Sequence, residues 1–499
     1  MSYSVLSEPV ISVLMPNGQR KSAGIKEVFL EAHHIRDIAG DNPLERYAVL
    51  RLLIAFAMDM LHPQNSYDRM DLLRAGRFDE KAFDGYVCKC EKDGPRFDLF
   101  DPEHPFLQSK YDEKLDGKAR KPVAAILHAL PSGNNHVFID HRMADSHQIS
   151  VPEAFQALCA SYLFCVSGTA GPSSVNNTPP LYAAVIGENL FETILINMLS
   201  VSEAAPLPYG EGETAWRLDR NVIPKQEVAS VSLLEGLTWM PRRITLIPQE
   251  DSNRIREVYC QAGLNFKGND LWTDPHVPRF RKKDQSFGTV KPELDRAVWR
   301  DAGSLLYDHD GRYVRQPLTI RCLKNLYEED ELPEWIMIRA SGLITNQAAY
   351  TGWCESELSI PSRLLYDDER ASLFRNDIRL IESLQQMIYR NVQKYVDKPR
   401  SSSTNEEHET ASQCRRYFLK DAHDLLFGDD LNGILNGVSF DEHTGYFSDM
   451  LKKIINDTLK QVLYTSGNHT RAVMNQIEAE KWIWINFKKI IKEGTDENG

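Results

Sequence analysis

Hydrophobic and polar positions follow a helical period in the C-terminal part of the chain. Apolar residues recur there at spacings of three and four, which is typical of an amphipathic helix. The first such series consists of Phe374, Ile378, Ile381, Leu384, Ile388, Val392 and Tyr395. Similar patterns cover residues 411–427, 447–463 and 470–491, with polar segments between them. Four helices separated by polar breaks predict a C-terminal four-helix bundle.

The pattern before residue 361 is mixed. Short runs with strand character, such as residues 243–247 and 335–338, alternate with loops rich in Gly, Pro and Asn. The Pro-Asn-Gly sequence at residues 16–18 predicts a hairpin turn. Residues 44–61 follow good capping residues and are apolar on most faces, so they predict a buried helix.

These patterns predict an α+β protein with two domains. Residues 1–365 form a large mixed α/β domain, and residues 366–499 form the helical bundle. A length of 499 residues is too great for one ordinary core, which independently favours more than one domain.

Composition and charge narrow the possible functions. Hydrophobic residues make up 42% and charged residues 26% of the chain, as in globular proteins. No apolar run approaches the roughly 20 residues needed to span a bilayer, and no secretory signal begins the chain, so we expect a cytoplasmic protein without a membrane partner. Acidic residues outnumber basic ones by 71 to 58, which argues against an autonomous DNA-binding protein but not against local basic patches.

Catalytic motifs are scarce in the sequence. The phosphate-binding loop, the H-E-x-x-H zinc motif and the G-x-S-x-G nucleophile motif are absent. One cluster resembles a hydrolytic metal site: His136, Asp140, His141, Asp145 and His147. A metal-dependent nucleic-acid hydrolase centred on His136, Asp140 and His141 is therefore the alternative function. No second ligand cluster completes such a site, and the eight cysteines are scattered, so we expect a non-catalytic protein with no cofactor and no bound metal.

Six segments, in the same order along the chain, resemble the CasA family, which is the large subunit of the type I-E CRISPR Cascade surveillance complex. They are RFDLFDPEHPFLQ at 96–108, NHVFIDH at 135–141, residues 181–199, LTWMPRRITL at 237–246, LWTDPHVP at 271–278 and TNQAA at 345–349. The resemblance implies a large N-terminal mixed α/β domain with a fold particular to this family, followed by a C-terminal four-helix bundle.

The resemblance also implies a function. In such complexes the guide RNA recognises the target by base pairing, while protein recognises the short protospacer-adjacent motif (PAM) in duplex DNA. This subunit would then help to open the duplex for R-loop formation and provide a docking surface for a recruited helicase–nuclease in antiviral defence. The implied partners are the other Cascade subunits with bound CRISPR RNA, double-stranded target DNA and the helicase–nuclease. A purely structural scaffold that never contacts DNA is a further alternative.

Carried over by resemblance, Gln347 is the wedge that enters the duplex beside the PAM, flanked by Asn346 and Ala348. Gly168 and Gly171 belong to a loop that faces the minor groove. Asn and Gln side chains can pair with the donors and acceptors of that groove, and small residues let the backbone approach it. An ordinary polar turn at Asn346 and Gln347 remains an open alternative.

Three lysines are implied to contact DNA. Lys267 is the candidate for the family's motif-recognising lysine, and Lys282 and Lys283 would contact phosphates of the entering duplex. A solvated run of charge is the alternative for the last two.

The resemblance assigns one further loop to assembly. Phe138, Ile139 and Asp140 would attach the subunit near the 5′ end of the guide RNA. Two apolar residues within a polar loop suit a pocket on a partner.

Overall fold

The computed structural model divides the chain into two compact units, residues 1–361 and 362–499. The boundary expected from the sequence lies four residues later, at residue 365. The residues that the structure describes are 2–40, 42–130, 147–166, 175–176, 178–218, 222–249, 253–268, 272–282, 286–293, 296–306, 314–327, 333–346, 349–397 and 409–496. No helix within these ranges is both long and apolar enough to cross a membrane.

The first unit combines short strands with helices. Its strands are β1 Ile11–Leu14, β2 Arg20–Ala23, β3 Asp37–Ile38, β4 Arg120–Pro122, β5 Ile149–Ser150, β6 Tyr182–Ile186, β7 Glu227–Val228, β8 Arg242–Pro248, β9 Arg254–Ala262, β10 Asn265–Phe266, β11 Arg279–Arg281, β12 Phe287–Thr289, β13 Val314–Arg315, β14 Trp335–Asn346 and β15 Ala349–Pro361. Its helices are α1 Ile25–Leu30, α2 Pro43–Leu61, α3 Ser66–Ala75, α4 Glu80–Cys90, α5 Glu113–Asp116, α6 Val151–Leu163, α7 Leu190–Ile196, α8 Val201–Ala204, α9 Ala215–Leu218, α10 Leu233–Leu237, α11 Ala302–Leu306 and α12 Leu318–Arg321. Short 3-10 turns occur at Ala32–His34, Val123–Ile126, Val298–Asp301 and Cys322–Asn325.

The described strands form several small sheets. The strand orders are β2-β1-β3, β10-β7, β12-β11-β13, β15-β14-β6 and β4-β9-β5, with β8 also paired to β9. The predicted hairpin around residues 16–18 is confirmed by the antiparallel pairing of β1 with β2. The predicted strand at residues 243–247 lies within β8.

Helix α2 lies at the centre of the first unit. The Asn42 side chain accepts a hydrogen bond from the Leu44 amide at 2.9 Å, and Pro43 occupies the first turn, as the sequence predicted. The helix is buried on nearly every face. Phe56, in its C-terminal half, contacts the rings of Phe29 and Trp216 at centroid distances of 5.1 and 5.8 Å. This apolar centre supports the surrounding sheets.

Strands β14 and β15 form a long hairpin. Their antiparallel pairing runs from Trp335 and Pro361 to Asn346 and Ala349, so the strand predicted at residues 335–338 is much longer than expected. Strand β6 pairs only with Met337–Ser341 of β14. In the distal half of the hairpin, Gly342 of β14 lies directly against Pro292.

The second unit consists of helices α13 Asp368–Val392, α14 Glu409–Leu425, α15 Leu431–Leu435, α16 Phe440–Thr458 and α17 Thr470–Asp496. It begins with a 3-10 turn at Ser362–Leu365, and π-helical turns follow at Gln393–Asp397, Leu426–Asp430 and Leu459–Leu463. Helix α13 packs against α14 and α17, and α14 packs against α16. The predicted mixed α/β region followed by a helical region is thus confirmed.

The third predicted helix of the bundle is present, but it begins seven residues earlier than expected, and its helical segment ends at the expected residue 463. It was expected at residues 447–463, whereas α16 covers Phe440–Thr458 and then passes into a π-helical turn. The residues before 447 are largely polar, so they carry little apolar periodicity. Their helical state depends on the packing of the bundle rather than on a local hydrophobic pattern.

We predict that Gly342→Ala destabilises the hairpin. A Cβ atom at position 342 would lie 2.7 Å from the Cγ atom of Pro292, and a proline ring cannot rotate away. The expected loss is about 1–3 kcal/mol in the free energy of unfolding, measured by urea denaturation. Gly303→Ala is the matched control, because a Cβ there meets no atom within 4 Å and alanine favours helix α11. Equal stability of the two variants would contradict the close packing of Pro292 on β14.

Candidate nucleic-acid interface

The β14–β15 hairpin leads to the predicted wedge. Asn346 is exposed at the end of β14 and pairs with Ala349. Gln347 and Ala348, which connect them in the sequence, lie outside the described residues. The strand register shifts between Ile344 and Thr345, and such bulges increase the local twist of a hairpin.

Side-chain contacts fasten the distal part of this hairpin. The Thr351 hydroxyl donates a hydrogen bond to the Ile344 carbonyl at 3.1 Å. The Tyr350 ring lies 5.3 Å from the ring of His128, between centroids. Burial lowers the pKa of His128 to about 4, partly offset by a backbone hydrogen bond at Phe164. His128 is therefore uncharged at neutral pH and acts as a packing residue.

The chain around the predicted glycine loop is held on both sides. Gly168 and Gly171 themselves lie outside the described residues. On the C-terminal side, the Asn176 amide nitrogen lies 3.1 Å from the Tyr182 hydroxyl and 3.0 Å from Asp274 Oδ2. On the N-terminal side, the same Tyr182 hydroxyl donates to the carbonyl of Leu163 at 3.5 Å. Tyr182, in β6, thus links the two segments that flank the loop.

Asp274 in turn forms a buried ion pair with Arg51 of α2. The guanidinium donates from Nη1 to Oδ1 at 3.0 Å and from Nη2 to Oδ2 at 2.7 Å, and neither side chain is more than 2% exposed. The Nε of Arg51 donates a hydrogen bond to the Leu237 carbonyl at 3.3 Å. Burial acts to raise the pKa of Asp274, but the charge of Arg51 and its hydrogen bonds to the carboxylate outweigh this effect and hold the pKa far below its usual range. The carboxylate is therefore ionised.

His276 completes this network as a neutral side chain. Burial lowers its pKa below the usual value, against the effect of Asp274. Its Nε2 lies 3.1 Å from the Asn197 carbonyl, and its Nδ1 lies 3.3 Å from Arg51 Nη1. These partners assign the proton to Nε2, because Nδ1 must accept from the guanidinium. Every polar atom of the ring is thereby satisfied.

A basic surface lies on the sheet β12-β11-β13. Arg279 and Arg315 are paired across β11 and β13, and both guanidinium groups approach the Phe287 ring, at 4.7 and 4.8 Å from its centroid. Burial and the charge of Arg315 lower the pKa of Arg279. Arg281 and Lys282 are exposed beside them. The described residues of these three strands include no acidic side chain.

The lysines predicted from the sequence lie in two different sheets. Lys282 follows β11, and its amide donates to the Ser286 carbonyl at 2.7 Å, while Lys283 lies outside the described residues. Lys267 follows β10, and its Nζ lies 3.4 Å from Glu227 Oε1. Both side chains of that pair are more than half exposed, so the interaction is weak and leaves Lys267 accessible.

The remaining predicted site residues fall in residues 131–146, outside the described part of the chain. They are Phe138, Ile139 and Asp140 of the assembly loop and His136, His141 and Asp145 of the alternative hydrolytic site.

Arg315 was missed by the sequence analysis. It lies 36 residues after Arg279 in the sequence and joins Arg279 only through the pairing of β11 with β13. Arg279 and Arg281 directly precede Lys282 and Lys283 in a basic segment, but nothing local indicates that they share a sheet with a distant arginine.

The model of the family described as CRISPR-associated protein Cse1 matches residues 5–426. The chain belongs to the Cse1 family. This confirms the resemblance drawn from the six segments, because Cse1 and CasA name the same large subunit of type I-E Cascade. The CasA/Cse1 protein of Thermus thermophilus is 26% identical over 382 residues, which are 73% of this chain and 72% of that protein.

Solved Cse1 structures share the fold over almost the whole chain. The crystal structure of the CasA protein of Thermus thermophilus has a TM-score of 0.76 at 20% identity and covers 99% of this chain and 100% of its own. A chain in the structure of a CRISPR RNA-guided surveillance complex has a TM-score of 0.77 at 16% identity, with coverage of 97% and 99%. The Cse1 fold therefore extends beyond residue 426, through the C-terminal helices.

We predict that Asp274→Ala strongly destabilises the first unit, because it leaves the Arg51 charge buried without a partner. The expected loss is about 3–5 kcal/mol in the free energy of unfolding, measured by chemical denaturation. Glu257→Ala is the control, since its pair with Arg120 is largely exposed and contributes at most about 1 kcal/mol. A similarly small effect of both substitutions would show that the Arg51–Asp274 pair does not support the fold.

Proposed function

We propose that this chain is the non-catalytic large subunit of a type I-E CRISPR RNA-guided surveillance complex and recognises the PAM in double-stranded target DNA. The main support for this proposal is that the chain belongs to the Cse1 family, whose model matches residues 5–426. The other Cascade subunits with CRISPR RNA are its partners in the cytoplasm. Guide pairing then selects the target, and the protein acts on the duplex next to it.

The β14–β15 hairpin supports a role in opening the duplex. Its strands are paired up to Asn346 and Ala349, and Pro292 packs against its distal half. A two-stranded ribbon fastened in this way is a stiff support for a side chain that must enter the base stack. We assign Gln347 as that wedge, with Asn346 and Ala348 beside it.

The basic sheet supports a role in binding the DNA backbone. Arg281 and Lys282 are exposed on a sheet whose described strands carry no acidic residue, so they provide a local positive field on a chain with net charge −13. We assign Lys282 and Lys283 to phosphates of the entering duplex, and Arg315 extends this surface.

Two further assignments concern the PAM itself. Gly168 and Gly171 form the loop that faces the minor groove, where small residues allow a close approach. The hydrogen bonds of Asn176 to Tyr182 and Asp274 support this role, because they hold the chain close to the loop. Lys267 is the motif-recognising lysine, and its high exposure agrees with such a role.

Assembly and recruitment complete the proposal. Phe138, Ile139 and Asp140 attach the subunit near the 5′ end of the guide RNA. The subunit also provides a docking surface for the recruited helicase–nuclease, which performs the cleavage. The chain itself has no hydrolytic role, because its sequence lacks the phosphate-binding loop and a complete metal-ligand motif.

We predict that Gln347→Ala slows R-loop formation on fully paired targets. Opening one base step loses roughly 1.4 kcal/mol of stacking, so a wedge that offsets one step accelerates opening about tenfold. The rate is measured with reconstituted complex on paired DNA and on DNA with a bubble beside the PAM. The defect should disappear on the bubble. Gln413→Ala, an exposed glutamine of α14, is the control for the substitution itself. Equal defects on both DNAs would contradict a role in opening.

We predict that removing the charges of Lys282 and Lys283 weakens DNA binding equally for all PAM sequences. Phosphate contacts release counterions, so the double alanine variant should reduce the slope of log affinity against log salt by up to about two. Lys452 and Lys453 are the matched control, because they are adjacent exposed lysines of α16. A double variant with the wild-type salt slope would show that Lys282 and Lys283 are solvated lysines without a phosphate partner.

A further inference from the structure

Three ionisable side chains meet in the interior of the second unit. Asp377 comes from α13, Asp430 from the end of the π-helical turn Leu426–Asp430, and His443 from α16. They are only 5%, 1% and 3% exposed. His443 Nε2 lies 2.8 Å from Asp377 Oδ2 and 3.4 Å from Asp430 Oδ1. One donor atom from each residue lies within 4.8 Å of the other two.

Asp430 is the least satisfied member of this cluster. Neither of its carboxylate oxygens accepts a hydrogen bond from any described residue, although the residue is only 1% exposed. A buried carboxylate without donors is costly, and proteins seldom keep one unless an ion or a proton satisfies it. The carboxylate faces the space that it shares with His443 and Asp377.

The two buried carboxylates of the cluster both lie close to the His443 imidazole. Two adjacent buried carboxylates cannot both ionise unless a cation compensates them. Two ionised carboxylates and a neutral imidazole carry a charge of −2, which one divalent cation balances.

We propose that Asp377, Asp430 and His443 bind one zinc-class divalent ion that links three separate segments of the C-terminal bundle. Zinc takes nitrogen and oxygen ligands at about 2.0–2.2 Å, so neighbouring donor atoms of a tetrahedral site are about 3.4 Å apart. The separations of 2.8 and 3.4 Å observed here require only small shifts. Asp430 binds the ion through one of its two unpartnered oxygens, and a water molecule takes the fourth position of the tetrahedral site.

The donor set favours zinc over the alkaline-earth ions. Magnesium and calcium prefer six or more oxygen ligands, whereas an imidazole with two carboxylates suits zinc and its neighbours. The burial of all three residues indicates a structural role. This proposal departs from the expectation of no bound metal, because the three ligands are separated by 53 and 13 residues (377 to 430 and 430 to 443) and match no local metal motif.

The test measures zinc bound to the full-length chain, purified without a histidine tag. We expect one zinc per chain by mass spectrometry, and a rise in melting temperature when zinc is returned to EDTA-treated protein. Asp430→Asn and His443→Ala should lose both the zinc and the shift. His423→Ala is the matched control, since His423 and Asp424 form an exposed pair at 3.1 Å in the same unit, and this variant should retain both.

Two results would overturn the proposal. Wild-type protein that binds no zinc and shows no shift would mean that Asp377 and Asp430 share a proton instead. Equal zinc in wild type and Asp430→Asn would mean that the ion binds elsewhere. If the variants do not fold, cobalt(II) titration of the wild type decides the matter. The visible absorption of four-coordinate cobalt supports the site, and its absence refutes it.

Discussion

The buried ion pair between Arg51 and Asp274 is the constraint on which the first unit depends. Arg51 is on the central helix α2, and Asp274 lies five residues before the basic strand β11. Asp274 also contacts Asn176, close to the glycine loop, and the amide of His276. Because a buried charge is stable only with its partner, these segments must keep their positions together. The Arg51–Asp274 ion pair thus helps to fix the positions of the segments next to several proposed DNA contacts.

Backbone hydrogen bonds extend this constraint toward the hairpin. The Ala183 amide of β6 donates to the His276 carbonyl at 2.9 Å, and the Leu181 amide donates to the Val290 carbonyl at 2.8 Å. Strand β6 then pairs with β14. The ion pair, the basic sheet and the hairpin therefore share one hydrogen-bonded framework. Such a framework suits the proposed function, in which one surface holds the duplex and another opens it.

Charge distribution explains why such a subunit works within a complex. The chain carries a net charge of −13, so its long-range field repels nucleic acid. Local basic groups on the β12-β11-β13 sheet act only at short range, because salt screens charges beyond about 10 Å. A guide-RNA complex that brings the duplex close would allow these groups to contribute.

Local patterns in the sequence determined the elements that depend on nearby residues. The cap at Asn42, the turn at residues 16–18 and the amphipathic helix α13 follow from capping, turn chemistry and apolar spacing, and the six family segments identified the family. Contacts between residues that are distant in the sequence could not be predicted, because no local signal joins Arg279 to Arg315 or Asp377 to Asp430 and His443. Only the tertiary structure placed those residues together, since burial and strand pairing bring distant segments of the chain into contact.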